Sequence, residues 1–366
     1  MQLRARAFLV VLLSLLAACV STASAPSGSA GTLLIVGGGL DDDMRPIYER
    51  FVELASARGP ASIVIATAAT GPQEVELVDK TEALRVWAPG VPVRAILRET
   101  PTQETVAAID AATAMLFTGG DQKRITERYR PSDADTPEWH AMRRLLARGG
   151  VIAGCSAGDA MMGEHMLLGG ASAEALGIAP KQPKPGEAAE LGPRLGPGMK
   201  FLPWAITDSH FFERDRVGRL VAGLEAAKRR FGIGVGEDGC VEIDLATGEL
   251  RGVAVSESLL VDVIHLQRDG LRRTQLLARP IEQGASIALL GRLTAPPPLL
   301  PATKPDGMTE VPVVEPGQNR QLASWRLFRQ AAMRGAGAHR LQLDGWEVVA
   351  WPAGDDGEVV FEVGPR

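Results

Sequence analysis

Apolar runs that lack polar alternation mark the first half of the chain: Thr32–Val36, Ser62–Ala66, Val91–Leu97, Ala114–Thr118 and the run opening at Val151. Between them the spacing turns helical, with Met44, Ile47, Phe51 and Leu54 on one face of 43–57, and further helices over 74–87, 103–112 and 137–148. A strand apolar on both sides is buried on both sides, and strands joined by helices of this length lie parallel. The chain therefore reads as α/β, a three-layer sandwich around a mostly parallel sheet. Ligands of such sheets bind beyond the carboxyl ends of the strands. Gly37–Gly39, Gly119-Gly120 and Gly154–Gly158 all fall on that edge. The first triplet lacks the third glycine and the ribose-binding acid of a dinucleotide site, so no cofactor is expected.

The densest of these stretches is Gly154-Cys155-Ser156-Ala157-Gly158, at a strand-to-helix turn. Small neighbours let the backbone bend sharply there and leave the serine hydroxyl clear, the form of a nucleophile elbow. The amide groups of the following helix N-terminus face any negative charge that develops beside it.

Beyond the elbow the pattern loosens. Residues 164–203 read as a long loop or flap, Phe201–Thr207 as a strand at a sheet edge because of Pro203, and Arg216–Arg230 as an amphipathic helix. A β-rich run extends from Gly232 to about Leu290. Residues 293–317, dense in proline, read as a linker, and 318–366 as a small α+β extension holding a helix over 320–334 and two or three antiparallel strands.

The chain opens with an export signal: Arg4 and Arg6, then an apolar segment from Ala7 to Ala18 too short to span a bilayer. Leu16-Ala17-Ala18-Cys19 resembles the lipobox of bacterial lipoproteins, which implies lipidation of Cys19. Residues 1–18 are then a signal peptide and 19–30 a flexible tether, leaving one large domain over 31–292. The expected location is the periplasm or cell surface, on the outer membrane, with the lipid anchor as the sole membrane contact. Losing Arg4 and Arg6 moves the formal net charge from −5 to −7, a balance that gives no reason to expect nucleic acid. The remaining cysteines, Cys155 and Cys240, sit in contexts that suit packing, with a bridge between them left open, and no metal-ligand spacing occurs.

A nucleophilic serine needs a base, and the base needs an orienting acid. Among five histidines, His210 alone ends a predicted strand, within Asp208-Ser-His-Phe-Phe-Glu-Arg-Asp-Arg-Val-Gly-Arg219. Arg214, Arg216 and Arg219 at a helix start oppose its dipole, which points to a carboxylate-rich ligand. The series Gly119-Gly-Asp-Gln122, Gly154-Cys-Ser-Ala-Gly158, Asp208-Ser-His-Phe-x-x-Arg-x-Arg-x-x-Arg219 and Gly232-Ile-Gly-Val-Gly-Glu-Asp238 resembles the cyanophycinase and aspartyl dipeptidase family of serine peptidases. That resemblance covers about residues 31–265 and implies a class I glutamine-amidotransferase-like fold. It implies Ser156 as nucleophile, His210 as base and Glu237 as acid, with an oxyanion hole from Ala157 and Gly119 or Gly120. It implies a substrate pocket lined by Gln122, Asp208, Arg214, Arg216 and Arg219, and a homodimer.

The implied substrate is cyanophycin, poly-aspartate bearing arginine on its side-chain carboxyls, released as β-Asp-Arg. Arginines suit aspartyl carboxylates through bidentate pairing, and Asp208 suits a guanidinium. Three departures bear on this. Cys155 stands where the family usually has threonine, Asp159 where it has alanine, and Ser209 where cyanophycinases carry a longer polar residue. Asp159 lies one helical turn from the serine, where an ionised carboxylate repels an anionic substrate. Three readings follow: a secreted cyanophycin hydrolase, a hydrolase of another aspartyl or isoaspartyl peptide, and an inactive peptide-binding lipoprotein. An amidotransferase proper is disfavoured because Cys155 precedes the elbow position.

Overall fold

The computed structural model describes residues 31–177, 191–254, 258–265, 274–295, 307–313, 323–332, 337–343, 345–353 and 358–365. The signal peptide, Cys19 and the tether lie outside the described residues. Strands β1 (Thr32–Val36), β2 (Ile63–Ala66), β3 (Val93–Ile96), β4 (Ala114–Phe117) and β5 (Val151–Cys155) form where the apolar runs predict them. They alternate with helices α1 (Arg45–Ser56), α2 (Gln73–Trp87), α3 (Thr102–Ala111), α4 (Gln122–Tyr129) and α5 (Pro137–Ala147). All five strands are parallel, in the order β1-β5-β4-β2-β3.

The lack of polar alternation has its explanation in two covered faces. Leu34, Val36, Ile63, Ile65 and Leu116 pack with Tyr48 and Phe51 of α1 and Leu84 of α2. Their neighbours Leu33, Ile35, Val64, Ala66 and Phe117 pack with Ile109 of α3, Tyr129 of α4 and Leu145 of α5.

After β5 come α6 (Ala157–Ala160), β6 (His165–Gly169), α7 (Ser172–Ala175), β7 (Arg194–Pro197), β8 (Ala205–Asp208), α8 (Val217–Ala227), β9 (Phe231–Val235), β10 (Cys240–Asp244) and β11 (Glu249–Gly252). The expected loop over 164–203 thus contains a β6–β7 hairpin and a short helix, while 178–190 lies outside the described residues. Pairing of His165–Gly169 with a strand 25 or more residues on has no local periodicity to betray it.

A second sheet takes the remaining strands: β12 (Ser258–His265), β13 (Thr274–Pro280), and, past β14 (Ser286–Ala288) and α9 (Leu290–Thr294), β15 (Met308–Val311). Helix α10 (Ala323–Ala331) and β16 (Ala338–Leu343), β17 (Trp346–Pro352) and β18 (Val359–Pro365) complete the chain. The first sheet runs β14-β11-β10-β1-β5-β4-β2-β3 and the second β15-β16-β17-β18-β13-β12-β9-β8. Strand β8 is an edge strand, as Pro203 just before it suggests. The two sheets share a core, since Phe231, Ile233 and Val235 of β9 join the cluster beneath β1 and β4.

The C-terminal residues, expected as a separate extension behind a linker, continue the second sheet instead. Strand β18 pairs with β13 from Thr274↔Val363 to Ala278↔Val359. Strand β13 needs a partner on that side, and the nearest available backbone comes from the tail. Leu341, Val348, Val349, Trp351, Val359, Val360, Phe361 and Val363 are buried in it. Burying each such side chain is worth about 1.5–3 kcal/mol, so together they are comparable to or larger than the ~5–15 kcal/mol net stability of a typical domain. A chain truncated after Gly337 is therefore expected to lose soluble yield and cooperative thermal unfolding; an unchanged melting curve contradicts the shared-sheet arrangement.

Candidate active site

Three chain ends meet at one point. Strand β5 leads into Ser156, β8 into Ser209-His210, and β9 into Gly236-Glu237. Strands β8 and β9 are parallel and paired Asp208↔Gly234, so both deliver their following residues at the same edge. The first sheet reaches that edge through Gly37–Gly39 after β1. His210 N donates to Gly37 O at 2.7 Å, Gly37 N to Gly239 O at 3.1 Å, and Asp238 N to Gly38 O at 2.9 Å. Ser156 N donates to Val36 O at 2.9 Å.

The side chains complete a line across this seam. Ser156 Oγ lies 2.8 Å from His210 Nε2, and His210 Nδ1 lies 2.6 Å from Glu237 Oε1. An imidazole placed between a hydroxyl and a carboxylate is arranged to take the hydroxyl proton while the carboxylate holds its orientation. His210 is mostly buried and Glu237 40% exposed. Burial lowers the His210 pKa below its usual 6.5; the Glu237 hydrogen bond opposes this, and the charges of Arg214 and Arg216 reinforce it.

The backbone is strained where these groups stand. Ser156 has φ 52° and ψ −97°, His210 φ 46° and Asp238 φ 61°. Non-glycine residues in such conformations cost about 1–3 kcal/mol each and persist where surroundings enforce them. At the elbow, a Cβ on Gly154 would lie 2.2 Å from Gly158 O, and one on Gly158 would lie 2.9 Å from Phe117 Cβ. Gly38 was visible in the sequence only as part of a weak dinucleotide signal. Its φ is +126°, and a Cβ there would lie 2.3 Å from the His210 ring, so the missing side chain is what admits the imidazole.

Around the serine, Ala157 N–H is at the first position of α6, where an amide has no intrahelical acceptor. Gly119 faces Ser156, with a Cβ built on it 3.5 Å from Ser156 Cβ. Gln122 opens α4, and its Nε2 donates to Leu167 O at 2.6 Å. Arg214 is exposed beside His210, its N–H donating to His210 O at 3.2 Å.

The pattern of peptidase family S51 matches residues 33–244 of this chain. The chain belongs to peptidase family S51. It is a serine-type peptidase, and it is similar to curated cyanophycinases. That of Nostoc sp. (strain PCC 7120) is 30% identical over 249 residues, covering 66% of this chain and 76% of the relative. That of Trichormus variabilis matches at 30% identity over 249 residues, covering 66% of this chain and 76% of the relative. Among solved structures, a peptidase from an acI-B1 Actinobacterium shares the fold at TM-score 0.50 and 18% identity, covering 71% of this chain and 98% of that one.

Within this S51 peptidase, two of the arginines expected to hold substrate are engaged inside the protein. Arg219 is 3% exposed; its Nε donates to Asp208 Oδ2 at 2.9 Å, its Nη2 to Asp208 Oδ1, and its Nη1 to Gly170 O at 3.1 Å. Arg216 donates to Asp208 Oδ1 at 3.3 Å and to Ser209 O. Asp208 is fully buried between them. This corrects the expectation that Asp208 holds a ligand guanidinium and that Arg219 clamps a ligand carboxylate. A buried carboxylate needs paired cations, and the start of α8 supplies them. The same pairing explains basic residues placed against the helix dipole. Desolvation pushes Arg216 down to about 10. Arg214 is the member of the series that faces solvent.

Asp159 is also inside, fully buried, and neither carboxyl oxygen has a hydrogen-bond partner among the described residues. Burial raises its pKa well above 3.8, with the Thr207 hydroxyl opposing this, the Asp208 charge adding to it and Arg216 and Arg219 opposing it more weakly, so the neutral form is favoured and no carboxylate is presented to the site. Cys155 and Cys240 are free thiols. They flank Val36 on opposite neighbouring strands, and burial pushes Cys155 up to about 12.

Two outcomes follow. Phosphonylation of Ser156 by a neutral fluorophosphonate is expected to rise with pH through a midpoint below 6.5, and Arg214→Gln to move that midpoint upward by removing a charge that disfavours imidazolium; a midpoint above 6.5 or an unmoved one contradicts the assignment. For Asp159, a folded pKa above the unfolded value means stability is lost as pH rises from the unfolded pKa toward the folded one. Asp159→Ala is therefore expected to raise stability by about 1–3 kcal/mol, more at pH 8 than at pH 5 in chemical denaturation; a less stable variant refutes it.

Proposed function

We propose that this S51 peptidase hydrolyses an aspartyl peptide bond through a Ser156-His210-Glu237 triad, with cyanophycin as substrate. The observation that carries the reading is the unbroken hydrogen-bonded line from Ser156 Oγ through His210 to Glu237 at the elbow. His210 Nε2 takes the hydroxyl proton as Oγ attacks the aspartyl carbonyl, and Glu237 orients the ring and steadies the imidazolium. Charge developing on the carbonyl oxygen is met by Ala157 N–H and a glycine amide of the Gly119-Gly120 turn; one such donor is worth ~10²–10³ in rate. The imidazolium returns its proton to the leaving amine. Water, deprotonated by the same imidazole, then attacks the acyl-enzyme, and the imidazolium returns that proton to Ser156 Oγ as the acyl C–Oγ bond breaks and the free carboxyl product leaves.

Arg214, exposed beside the base, suits a substrate carboxylate, and Gln122 at the start of α4 suits its backbone. With Arg216 and Arg219 turned to Asp208, this is a leaner clamp than three free arginines. That observation supports a second reading, in which another aspartyl or isoaspartyl peptide with fewer carboxylates is the substrate. The N-terminal lipobox supports an exported lipoprotein anchored through Cys19, acting on polymer or peptide outside the cytoplasm. A homodimer remains part of the proposal through family resemblance.

Incubation of the purified domain with insoluble cyanophycin is expected to release β-Asp-Arg, with Ser156→Ala slower by at least about 10⁴-fold. A folded parent that releases none, yet is phosphonylated at Ser156, directs the assignment to other aspartyl peptides. Equal release by Ser156→Ala removes the nucleophile assignment.

A further inference from the structure

The loop Thr67–Gly71, between β2 and α2, has no part in the chemistry above, yet it presses against the turn that follows β4. Thr70 is buried, and its hydroxyl donates to Gly119 O while standing 3.2 Å from Thr118 Oγ1. Each hydroxyl has one proton. Donation by Thr70 to the carbonyl leaves the Thr118 hydroxyl with a single proton to place on Thr70 Oγ1 or on Ala66 O, 3.5 Å away.

The loop is held from behind. Arg98 Nε and Nη2 donate to Ala68 O at 3.1 and 3.0 Å, and Nη2 also to Thr70 O. Gln73 Oε1 accepts from Arg98 N at 2.6 Å and from Thr67 Oγ1 at 3.3 Å. In front, Asp121 N donates to Ala69 O at 3.0 Å. Gly120 has φ +135°, and a Cβ on it would lie 2.3 Å from Ala69 O, so glycine is needed for this approach. Gly119 has its other side toward Ser156.

A trans peptide points its C=O and N–H in opposite directions. With the Gly119 carbonyl held toward Thr70, the Gly120 N–H across the same peptide is turned away from the loop. We infer that Thr70 is a positioning residue that aims the Gly120 N–H at the oxyanion formed on the carbonyl attacked by Ser156. A flipped peptide presents a carbonyl oxygen to that charge instead, which opposes it. The inference rests on the Ser156 mechanism proposed above and selects Gly120 over Gly119 as the second donor.

The test is the second-order rate of phosphonylation by a neutral fluorophosphonate, which needs the oxyanion site and no knowledge of the natural substrate. Thr70→Val keeps the shape and removes the hydroxyl; Thr70→Ser keeps the hydroxyl. The valine variant is expected to react about 10–100-fold more slowly, with its pH midpoint unmoved because His210 is untouched, and the serine variant within about 3-fold of the parent. Thr70→Ala gives the same comparison should the valine variant not fold. A valine variant at the parental rate, a serine variant as slow as valine, or a shifted pH midpoint overturns the positioning role alone. A parent that reacts no faster than Ser156→Ala overturns the mechanism and this inference together.

Discussion

The backbone seam at Gly37–Gly39 is the contact on which the site depends. Three main-chain hydrogen bonds there tie the turn after β1 to the residues after β8 and β9. Ser156 belongs to one sheet and His210 and Glu237 to the other, so their alignment is an inter-sheet property. Side-chain hydrogen bonds of 2.6–2.8 Å demand positioning to a few tenths of an ångström. Backbone amides supply it because they carry no rotamer freedom, and glycine is required because a Cβ at Gly37 would lie 2.1 Å from Gly236 O.

Strain and burial are concentrated around that seam. Ser156, His210 and Asp238 hold positive φ within one cluster. Strands β1, β5 and β9 beside it are buried and paired on both sides, which gives a scaffold stiff enough to sustain them. The buried Asp208–Arg219 pair does similar service on the far side of His210, locking the strand end at Asp208 to the first turn of α8. Breaking such a pair strands a charge in the interior, so its role is to fix geometry more than to add stability.

The second sheet carries the base and the acid, and the C-terminal tail is part of that sheet. Strand order β18-β13-β12-β9-β8 connects the last residues of the chain to the strands that end at Asp208 and Val235. Among its described residues, the tail's contribution is the pairing and packing that extend the sheet holding β9 and β8.

The sequence by itself determined the parallel strands, the elbow, and the residues of the hydrogen-bonded line. Apolar runs without alternation and small residues around Ser156 are local signals, readable because strand period and turn sterics act over a few residues, whereas His210 and Glu237 are reached through the resemblance of four ordered motifs to a known family. Tertiary structure alone decided which sheet each residue joined, because pairing such as β13 with β18 spans more than 80 residues and any unpaired edge accepts a strand. It also decided the arginines. A guanidinium at a helix start looks the same in sequence whether it faces a ligand or a buried aspartate, and only the burial of Asp208 turned Arg216 and Arg219 inward. Thr70 stayed silent and Gly38 was legible only as part of a glycine turn on the ligand edge, for the same reason: their meaning lies in what stands across from them, the Gly119 carbonyl and the His210 ring.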